Sequence, residues 1–128
     1  MAGVIRVPHE RSAVRLARHA VGAQMSAAGL GSTALDDAVL VVSELVSNSV
    51  KHAAPLAGGG ISVSWSLEPD SVHVEITDGG GGTRPHAGVV AATAMGGRGL
   101  EIVRKISREW GVTEAADSVT VWAEVPRS

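Results

Sequence analysis

Glycine is concentrated at three places in this chain, and these places limit where helices and strands can form. Ten of the sixteen glycines fall in segments 58–60, 79–82 and 96–99. Glycine weakens regular structure because it has no side chain to pack and the most backbone freedom to lose. Regular elements are therefore expected between these segments. The four glycines after Asp78 are either a flexible connector or a backbone that lies against something flat that a Cβ would strike.

The composition predicts an aliphatic core. The length of the chain predicts one domain that spans residues 1–128. Hydrophobic residues make up 45% of the sequence, but there is no Phe or Tyr and only three Trp. With no cysteine, disulfides, a thiolate nucleophile and a cysteine-based metal site are excluded.

The charge and the hydropathy pattern restrict the partners and the location. Eleven basic and 13 acidic residues give a net charge of −2, which provides no general attraction for nucleic acid or an anionic membrane. No apolar stretch approaches the roughly 20 residues that span a bilayer, and the N-terminus lacks the apolar core of a signal peptide. We expect a cytoplasmic protein.

The spacing of apolar residues predicts the order β-α-α-β-β-loop-α-β-β. Strands show apolar residues at every second position, and helices show them every three to four residues. This order favours the α+β class, as a two-layer sandwich with an antiparallel-looking sheet and three helices on one face. The predicted segments are a strand at 3–7, a helix with Val14, Ala17, Val21 and Met25 on its apolar face, a helix from a capping box at Thr33 and Asp36 to Pro55, strands at 61–67 and 72–77, a helix at 99–110, and strands at 112–115 and 119–125.

The second predicted helix carries a polar stripe on an otherwise apolar surface. Glu44, Asn48 and His52 are four residues apart and share one side of the helix, with Lys51 beside them. Each of them alone is more often a solvent-edge residue or a satisfied core polar group. Three such residues in line are costly to bury unless something satisfies them, so the stripe is a candidate site.

Two further segments carry candidate chemistry. Asp78 ends a predicted strand before the glycine run, which by itself is also a common turn signal. The segment 96–100, "GGRGL", leads into a helix, and glycines there let backbone N–H groups approach phosphate oxygens. The P-loop is excluded because no glycine loop ends in Gly-Lys-Ser or Gly-Lys-Thr. The dinucleotide fingerprint is excluded because proline and a loop follow "GGGGTRPH" where it requires a helix.

Taken in order, "ELVSNSVKHA", "DGGGG", "GGRGL" and "TVWAEV" resemble the nucleotide-binding boxes of the GHKL ATPase superfamily. Within it, the chain is most similar to the small anti-sigma-factor serine kinases and their stand-alone actinobacterial relatives. The resemblance covers nearly the whole chain. It implies a Bergerat-type fold with a mixed, mostly antiparallel sheet, and ATP with Mg²⁺ as cofactors.

The resemblance also assigns roles to the residues of the stripe. Asn48 matches the family's Mg²⁺ ligand, and an amide oxygen suits that ion. Glu44 matches the general base, which would accept a serine proton or orient a water. Lys51 and His52 lie one turn further on, where such groups reach phosphates. Asp78 matches the aspartate that accepts a hydrogen bond from the adenine amino group.

The glycine boxes and the last strand complete the expected site. Gly80 and Gly82 match the family's Asp-x-Gly-x-Gly box and let the main chain pass close to the base, whereas Gly79 and Gly81 are extra to the pattern and are expected to add flexibility to a lid at 83–96. The last strand supplies Thr120, which is either the family threonine that helps hold the base or an ordinary strand residue. The second box, at the phosphates, comprises Gly97, Arg98, Gly99 and Leu100, with Arg98 as a candidate γ-phosphate contact.

Three functions remain open at this stage. The chain is expected to be an anti-sigma factor with serine/threonine kinase activity, whose partners are an anti-sigma antagonist protein and a sigma factor. The alternatives are a non-catalytic ATP-binding module that switches partners, and a scaffold domain that has lost nucleotide binding. The resemblance permits a homodimer. Arg11, Arg15 and Arg18 of the first helix form either a solvated basic face or a partner contact.

Overall fold

The computed structural model describes the backbone of residues 1–81 and 98–127 and the side chains of residues 1–81 and 101–127. The predicted order of helices and strands is confirmed within these ranges. The elements are β1 (Ala2–Val7), α1 (Ser12–Ala27), α2 (Ser32–His52), β2 (Ile61–Leu67), β3 (Ser71–Asp78), α3 (Arg98–Ile106), β4 (Glu109–Glu114) and β5 (Val119–Pro126).

The five strands form one sheet in the order β1-β2-β3-β5-β4. All four neighbouring pairs in it are antiparallel, so the sheet is more uniform than the mixed sheet that the resemblance implies. The helices pack on one face of this sheet, which confirms the predicted α+β sandwich. β3 lies at the centre with β5 beside it, and α2 contacts both strands.

Alternation along β3 decides which side chains face the helices. Val72, Val74, Ile76 and Asp78 are buried, whereas the residues between them are only partly buried. Directly paired residues on neighbouring strands project to the same side of a sheet. Each residue of β5 therefore takes its face from its β3 partner, and Val119, the partner of Asp78, lies on the helix face.

The helix layer is built from small and β-branched side chains. α1 buries Ala13, Ala17, Val21 and Met25. The predicted stripe is thus confirmed at three positions, but Ala13 takes the place of Val14, which is half-buried. α2 lies between α1 and α3 and contacts β2, β3 and β5. Its core side chains include Ala38, Val41, Val42, Leu45 and Val46.

Two helix boundaries differ from the prediction. The capping box at Thr33 and Asp36 is wrong, because α2 begins after Gly31 and no side chain caps its N-terminus. The first hydrogen bond of the helix runs from the Leu35 N–H to the Gly31 carbonyl at 2.9 Å.

The third helix ends at Ile106, not at residue 110. The N–H of Ser107 still bonds to the helix, but the N–H of Arg108 donates to the Glu124 carbonyl at 2.8 Å, which brings the chain into the sheet. Trp110 then pairs with Ala123 on the helix face. In the described ranges, no helix has the length and apolarity needed to cross a membrane.

Candidate functional site

Asp78 is a buried carboxylate where the end of β3 meets α2. Its exposed fraction is 6%. One carboxylate oxygen, Oδ1, accepts the Gly80 N–H at 2.8 Å, and Oδ2 accepts the Ser49 hydroxyl at 2.5 Å. Each carboxylate oxygen has two acceptor positions, so each keeps one for a further donor.

The loop after Asp78 is fastened to the segment that follows α2. The Gly79 N–H donates to the Ala54 carbonyl, and the Ala54 N–H donates to the Gly80 carbonyl, each at 2.8 Å. A Cβ on Gly79 would lie 2.2 Å from the Pro55 carbonyl oxygen. The prediction that Gly79 adds flexibility is therefore wrong, because this glycine is required by the close approach of two backbones.

Gly80 is required for a different reason. Its φ of +79° lies in the left-handed region, which side chains with a Cβ rarely adopt. This conformation turns the Gly80 N–H towards Asp78 and its carbonyl towards Ala54. Of the two explanations of the glycine run, close backbone approach therefore holds at its start. Gly81 is exposed, and Gly82 and the predicted lid lie outside the described residues.

The ionisation of Asp78 reflects opposing effects. Burial removes water from the carboxylate and raises its pKa above the ordinary 3.8. The hydrogen bonds from Ser49 and Gly80 and the positive charge of His9 oppose this rise in pKa. The side chain is thus a desolvated acceptor whose charged form depends on these few neighbours.

The stripe on α2 runs from a groove to the end of the helix. Glu44 and Asn48 are half-buried. Glu44 lines a surface groove between α1 and α2 together with Arg18 and Ser47, so its carboxylate is accessible from outside. Asn48 directly precedes Ser49, which places it next to the residue that contacts Asp78. The end of α2 and the end of β3 are therefore joined.

Lys51 and His52 are exposed in the last turn of α2. Positive charge at this end of a helix interacts favourably with the partial negative charge of the helix dipole. Their positions are thus explained by helix stability alone, and their contact with phosphate stays a prediction.

The register of β5 places Thr120 beside Thr77, and the role of Thr120 beside the base stays a prediction. Thr120 pairs with Thr77, and their hydroxyl oxygens lie 2.7 Å apart on the sheet face away from the helices. Asp78 projects to the other face, where its partner is Val119. Since neighbouring residues of a strand point to opposite sides, the side chains of Thr120 and Asp78 leave the sheet on opposite faces.

The second glycine box is only partly within the described residues. Gly97 lies outside them. Arg98, Gly99 and Leu100 form the first turn of α3, as their sequence predicts. Their backbone N–H groups belong to a helix N-terminus, which attracts anions.

Sequence reasoning missed two residues that bind this region together. Ser49 is buried and lies in the apolar stripe of α2, and a polar residue at such a position needs a partner. That signal was available in the sequence. His9 follows β1, and its Nε2 lies 2.7 Å from the Ala53 carbonyl and 3.1 Å from that of Ser49. No local pattern marks His9, because its partners are 40 or more residues away.

A second polar cluster lies on the opposite face of the sheet. The His73 ring contacts carboxylates of Glu124 and Glu75 through its two nitrogens. Trp122 stacks on the same ring, with centroids 5.9 Å apart. This cluster is separated from Asp78 by the sheet itself, so it belongs to a different surface.

Comparisons with known proteins agree with the resemblance read from the sequence. The histidine kinase-like ATPase domain family matches residues 7–124. Serine-protein kinase RsbW of Listeria innocua is 32% identical over 77 residues, which are 59% of this chain and 49% of that protein. RsbW of Listeria monocytogenes serovar 1/2a gives the same values. The chain spans about half the length of these curated relatives.

A solved structure shows the same fold. The crystal structure of the RsbU and RsbW domains of Rv1364c from Mycobacterium tuberculosis matches all of this chain and 33% of that one, with a TM-score of 0.76 and 20% identity. The family match covers most of the sequence, from the end of β1 into β5. The chain therefore belongs to the family of histidine kinase-like ATPase domains.

Proposed function

We propose that this protein binds Mg-ATP and transfers the γ-phosphate to a serine of a partner protein, as a cytoplasmic anti-sigma factor that regulates transcription. The partners would be an anti-sigma antagonist, which receives the phosphate, and a sigma factor. The observation that carries this proposal is the buried Asp78 carboxylate, which is hydrogen-bonded to α2 at the residue after Asn48.

Asp78 is suited to recognise adenine. A buried carboxylate that is held ionised is an acceptor only, and the adenine amino group at position 6 is a donor. Guanine and hypoxanthine present a carbonyl at that position, which would leave the carboxylate facing another acceptor. The main chain at Gly80 and Gly82 would lie along the base.

Asn48 would hold the magnesium ion. In the described part of the chain, no three His, Asp or Glu side chains converge on a common metal site. A Mg²⁺ bound by the Asn48 amide would therefore take most of its ligands from phosphate and water, as this ion commonly does. When bound, it would neutralise phosphate charge during transfer.

Glu44 would be the general base. It lies one helical turn before Asn48 and faces a groove that is accessible to another protein. Its carboxylate would accept the proton of the serine hydroxyl while the serine oxygen forms a bond to the γ-phosphorus. The bond from that phosphorus to the bridging oxygen breaks, and ADP leaves with the electron pair.

Phosphate oxygens would be bound at the N-terminus of α3 and the end of α2. Arg98, Gly99 and Leu100 begin α3, and Gly97 precedes it. Lys51 and His52 are exposed at the end of α2, where their N–H groups would donate hydrogen bonds to a polyanion.

Calorimetric titration with Mg-ATP and with Mg-GTP tests the pocket. The wild type should bind Mg-ATP in preference to Mg-GTP, and Asp78→Asn should lose at least about a hundredfold in ATP affinity because an amide cannot offer two acceptor oxygens. Asp117→Asn, an exposed aspartate in the turn before β5, is the matched control. Equal binding of both nucleotides by the wild type would contradict the proposed pocket.

Phosphoryl transfer to a cognate antagonist tests the base. Glu44→Ala should abolish transfer and retain Mg-ATP affinity, whereas the exposed control Glu10→Ala should change neither. Undiminished transfer in Glu44→Ala would refute the assignment of the base. Tight ATP binding with no phosphorylated product over hours in the wild type would instead favour the non-catalytic partner-switching module.

A further inference from the structure

We propose that Ser49 is a positioning residue that sets the purine selectivity of this site by holding Asp78 as a hydrogen-bond acceptor. This inference rests on the proposed nucleotide site. It assigns a role to Ser49, which directly follows Asn48 in the segment 44–53 and has none in the site proposed above. The property that Ser49 controls is the preference for a 6-amino over a 6-oxo purine.

The hydrogen bond of Ser49 is unusual for a serine inside a helix. Such a hydroxyl commonly bonds to the carbonyl four residues earlier in the same helix. Ser43, also on α2, does this, and its Oγ lies 2.7 Å from the Val39 carbonyl oxygen. Ser49 instead donates to Asp78, 29 residues away, at 2.5 Å. Two buried serines on one helix thus differ in the partner they take.

The direction of this hydrogen bond suits an ionised Asp78. An ionised carboxylate only accepts, so the Ser49 hydroxyl must donate to Oδ2 while the Gly80 N–H donates to Oδ1. These two hydrogen bonds favour the charged form of the carboxylate, which desolvation disfavours. They also fix the orientation of the carboxylate plane. An acceptor in a fixed orientation binds a 6-amino group and rejects a 6-oxo group.

His9 holds the part of α2 from which Ser49 projects. Its Nε2 lies within hydrogen-bonding distance of the carbonyls of Ser49 and Ala53, and because carbonyls only accept, this nitrogen carries the proton. His9 also opposes the rise in the pKa of Asp78 that burial causes. The last turn of α2, Ser49 and Asp78 therefore form one connected unit.

Binding of Mg-ATP and Mg-ITP to the full chain and to Ser49→Ala tests the proposal. The two nucleotides differ in the amino or oxo group at position 6 of the base and in the neighbouring N1, which accepts a hydrogen bond in adenine and carries a proton in hypoxanthine. Ser49→Ala should bind ATP about tenfold more weakly and ITP less than twofold more weakly, so the ATP to ITP preference should fall about fivefold or more. Ser43→Ala, which removes a hydroxyl from the same helix, should keep the wild-type preference.

A measurement without nucleotide separates this inference from the proposed function. Alanine favours a helix, so Ser49→Ala should fold, and the carboxyl carbon of Asp78 can be followed by NMR as pH changes. The pKa of Asp78 should be higher in Ser49→Ala than in the wild type and unchanged in Ser43→Ala.

An unchanged Asp78 titration, or an unchanged ATP to ITP preference in a wild type that selects ATP, would overturn the role of Ser49 alone. A wild type that does not distinguish the two nucleotides would overturn the proposed pocket and the selectivity proposal with it. The NMR titration would still decide whether Ser49 controls Asp78.

Discussion

The Asp78 carboxylate lowers the stability of the protein at neutral pH, because burial makes its charged form less favourable in the folded state than in the unfolded chain. For an acid whose folded pKa is raised, this cost is absent below the ordinary pKa of 3.8, grows as pH rises from 3.8 to the folded value, and is complete above it. Residues that serve a site commonly carry such a cost.

Asp78→Asn should therefore stabilise the free protein on the order of 1 kcal/mol at neutral pH, since an amide needs no charged form. Chemical denaturation of the variant and the wild type measures this difference. The gain should shrink as pH approaches the ordinary pKa of 3.8, where the wild-type carboxyl becomes neutral in both states. The control Asp117→Asn should change stability little at any pH, because Asp117 is exposed. A gain in Asp78→Asn that is constant with pH would contradict burial as its cause.

Among single residues, the sequence identifies those whose chemistry is local. Asp78 stands out because it follows an alternating strand and precedes glycines. Ser49 breaks the apolar stripe of α2 but is not among the predicted site residues, and His9 carries no local signal. What these two residues do depends on partners 29 to 44 positions away, and spacing along the chain does not reveal such pairs.

At the scale of elements, the contact between the loop after β3 and the segment after α2 depends on Gly79. Gly79→Ala would place a methyl group 2.2 Å from the Pro55 carbonyl oxygen, so one of the two backbones must move. We expect a loss of about 1–3 kcal/mol in the free energy of unfolding, measured by urea denaturation. Nucleotide affinity should fall as well, because the same loop holds Asp78.

Gly22→Ala in α1 is the matched control. The added methyl group would lie 3.7 Å from Val39, which is an ordinary contact, and alanine favours a helix. This variant should gain about 0.5–1 kcal/mol. Equal effects of the two substitutions would contradict a specific backbone contact at Gly79.

The polar cluster on the outer face of the sheet predicts a stability that depends on pH. Burial alone would lower the pKa of His73, but the hydrogen bonds and charges of Glu75 and Glu124 raise it above 6.5. Burial alone would raise the pKa of Glu124, but hydrogen bonds from Ser71 and His73 and the charges of His73 and Arg108 lower it below 4.5. The contribution of His73 to the free energy of unfolding is present below its unfolded pKa and is lost as pH rises through its folded pKa. The contribution of Glu124 to the free energy of unfolding is present above its unfolded pKa and is lost as pH falls through its folded pKa.

Both contributions are therefore present together between about pH 4.5 and pH 6.5. His73→Gln should destabilise the protein more near about pH 5.5 than near about pH 9, by less than about 1 kcal/mol because these side chains are partly exposed and screened. Thermal denaturation of His73→Gln and of the wild type at these pH values measures the destabilisation. His19→Gln, at an exposed position on α1, should show no such difference. A larger effect at high pH would mean that His73 is not held in its charged form.

The strands show what the periodicity of apolar residues predicts and what it does not. The strand at 61–67 was predicted with its observed bounds, because alternation and the glycines before it define both ends. The same alternation does not show that Thr120 pairs with Thr77 while Asp78 pairs with Val119. The register that decides this is a contact between strands 43 residues apart, and one strand alone does not contain it.

At the scale of the whole molecule, three chain segments are hydrogen-bonded to one another at one place between the sheet and the helix layer. His9 follows β1, Ser49 ends the buried part of α2, and Asp78 ends β3. The element order, and hence the fold class, was predictable because each element has its own apolar pattern. The connection between the segments was not, because it depends on how the elements pack. A ligand bound at this place should stabilise the fold as a whole.

Mg-ATP should accordingly raise the thermal midpoint. A ligand that binds only the folded state adds about 2.7 kcal/mol at a hundredfold excess over its Kd, which corresponds to roughly 10 °C for a chain of this size. Glu44→Ala should keep this shift, because the proposed base acts on the protein substrate and not on the nucleotide. Asn48→Ala should lose the part of the shift that depends on magnesium.

EDTA separates the metal from the base in this experiment. Added to the wild type with ATP, it should reduce the shift to the value of Asn48→Ala, and added to Asn48→Ala it should reduce the shift no further, since that variant lacks the protein ligand of the ion. If EDTA instead lowered the midpoint of Asn48→Ala as much as that of the wild type, magnesium would be held without Asn48, and the polar stripe of α2 would have to be assigned another role.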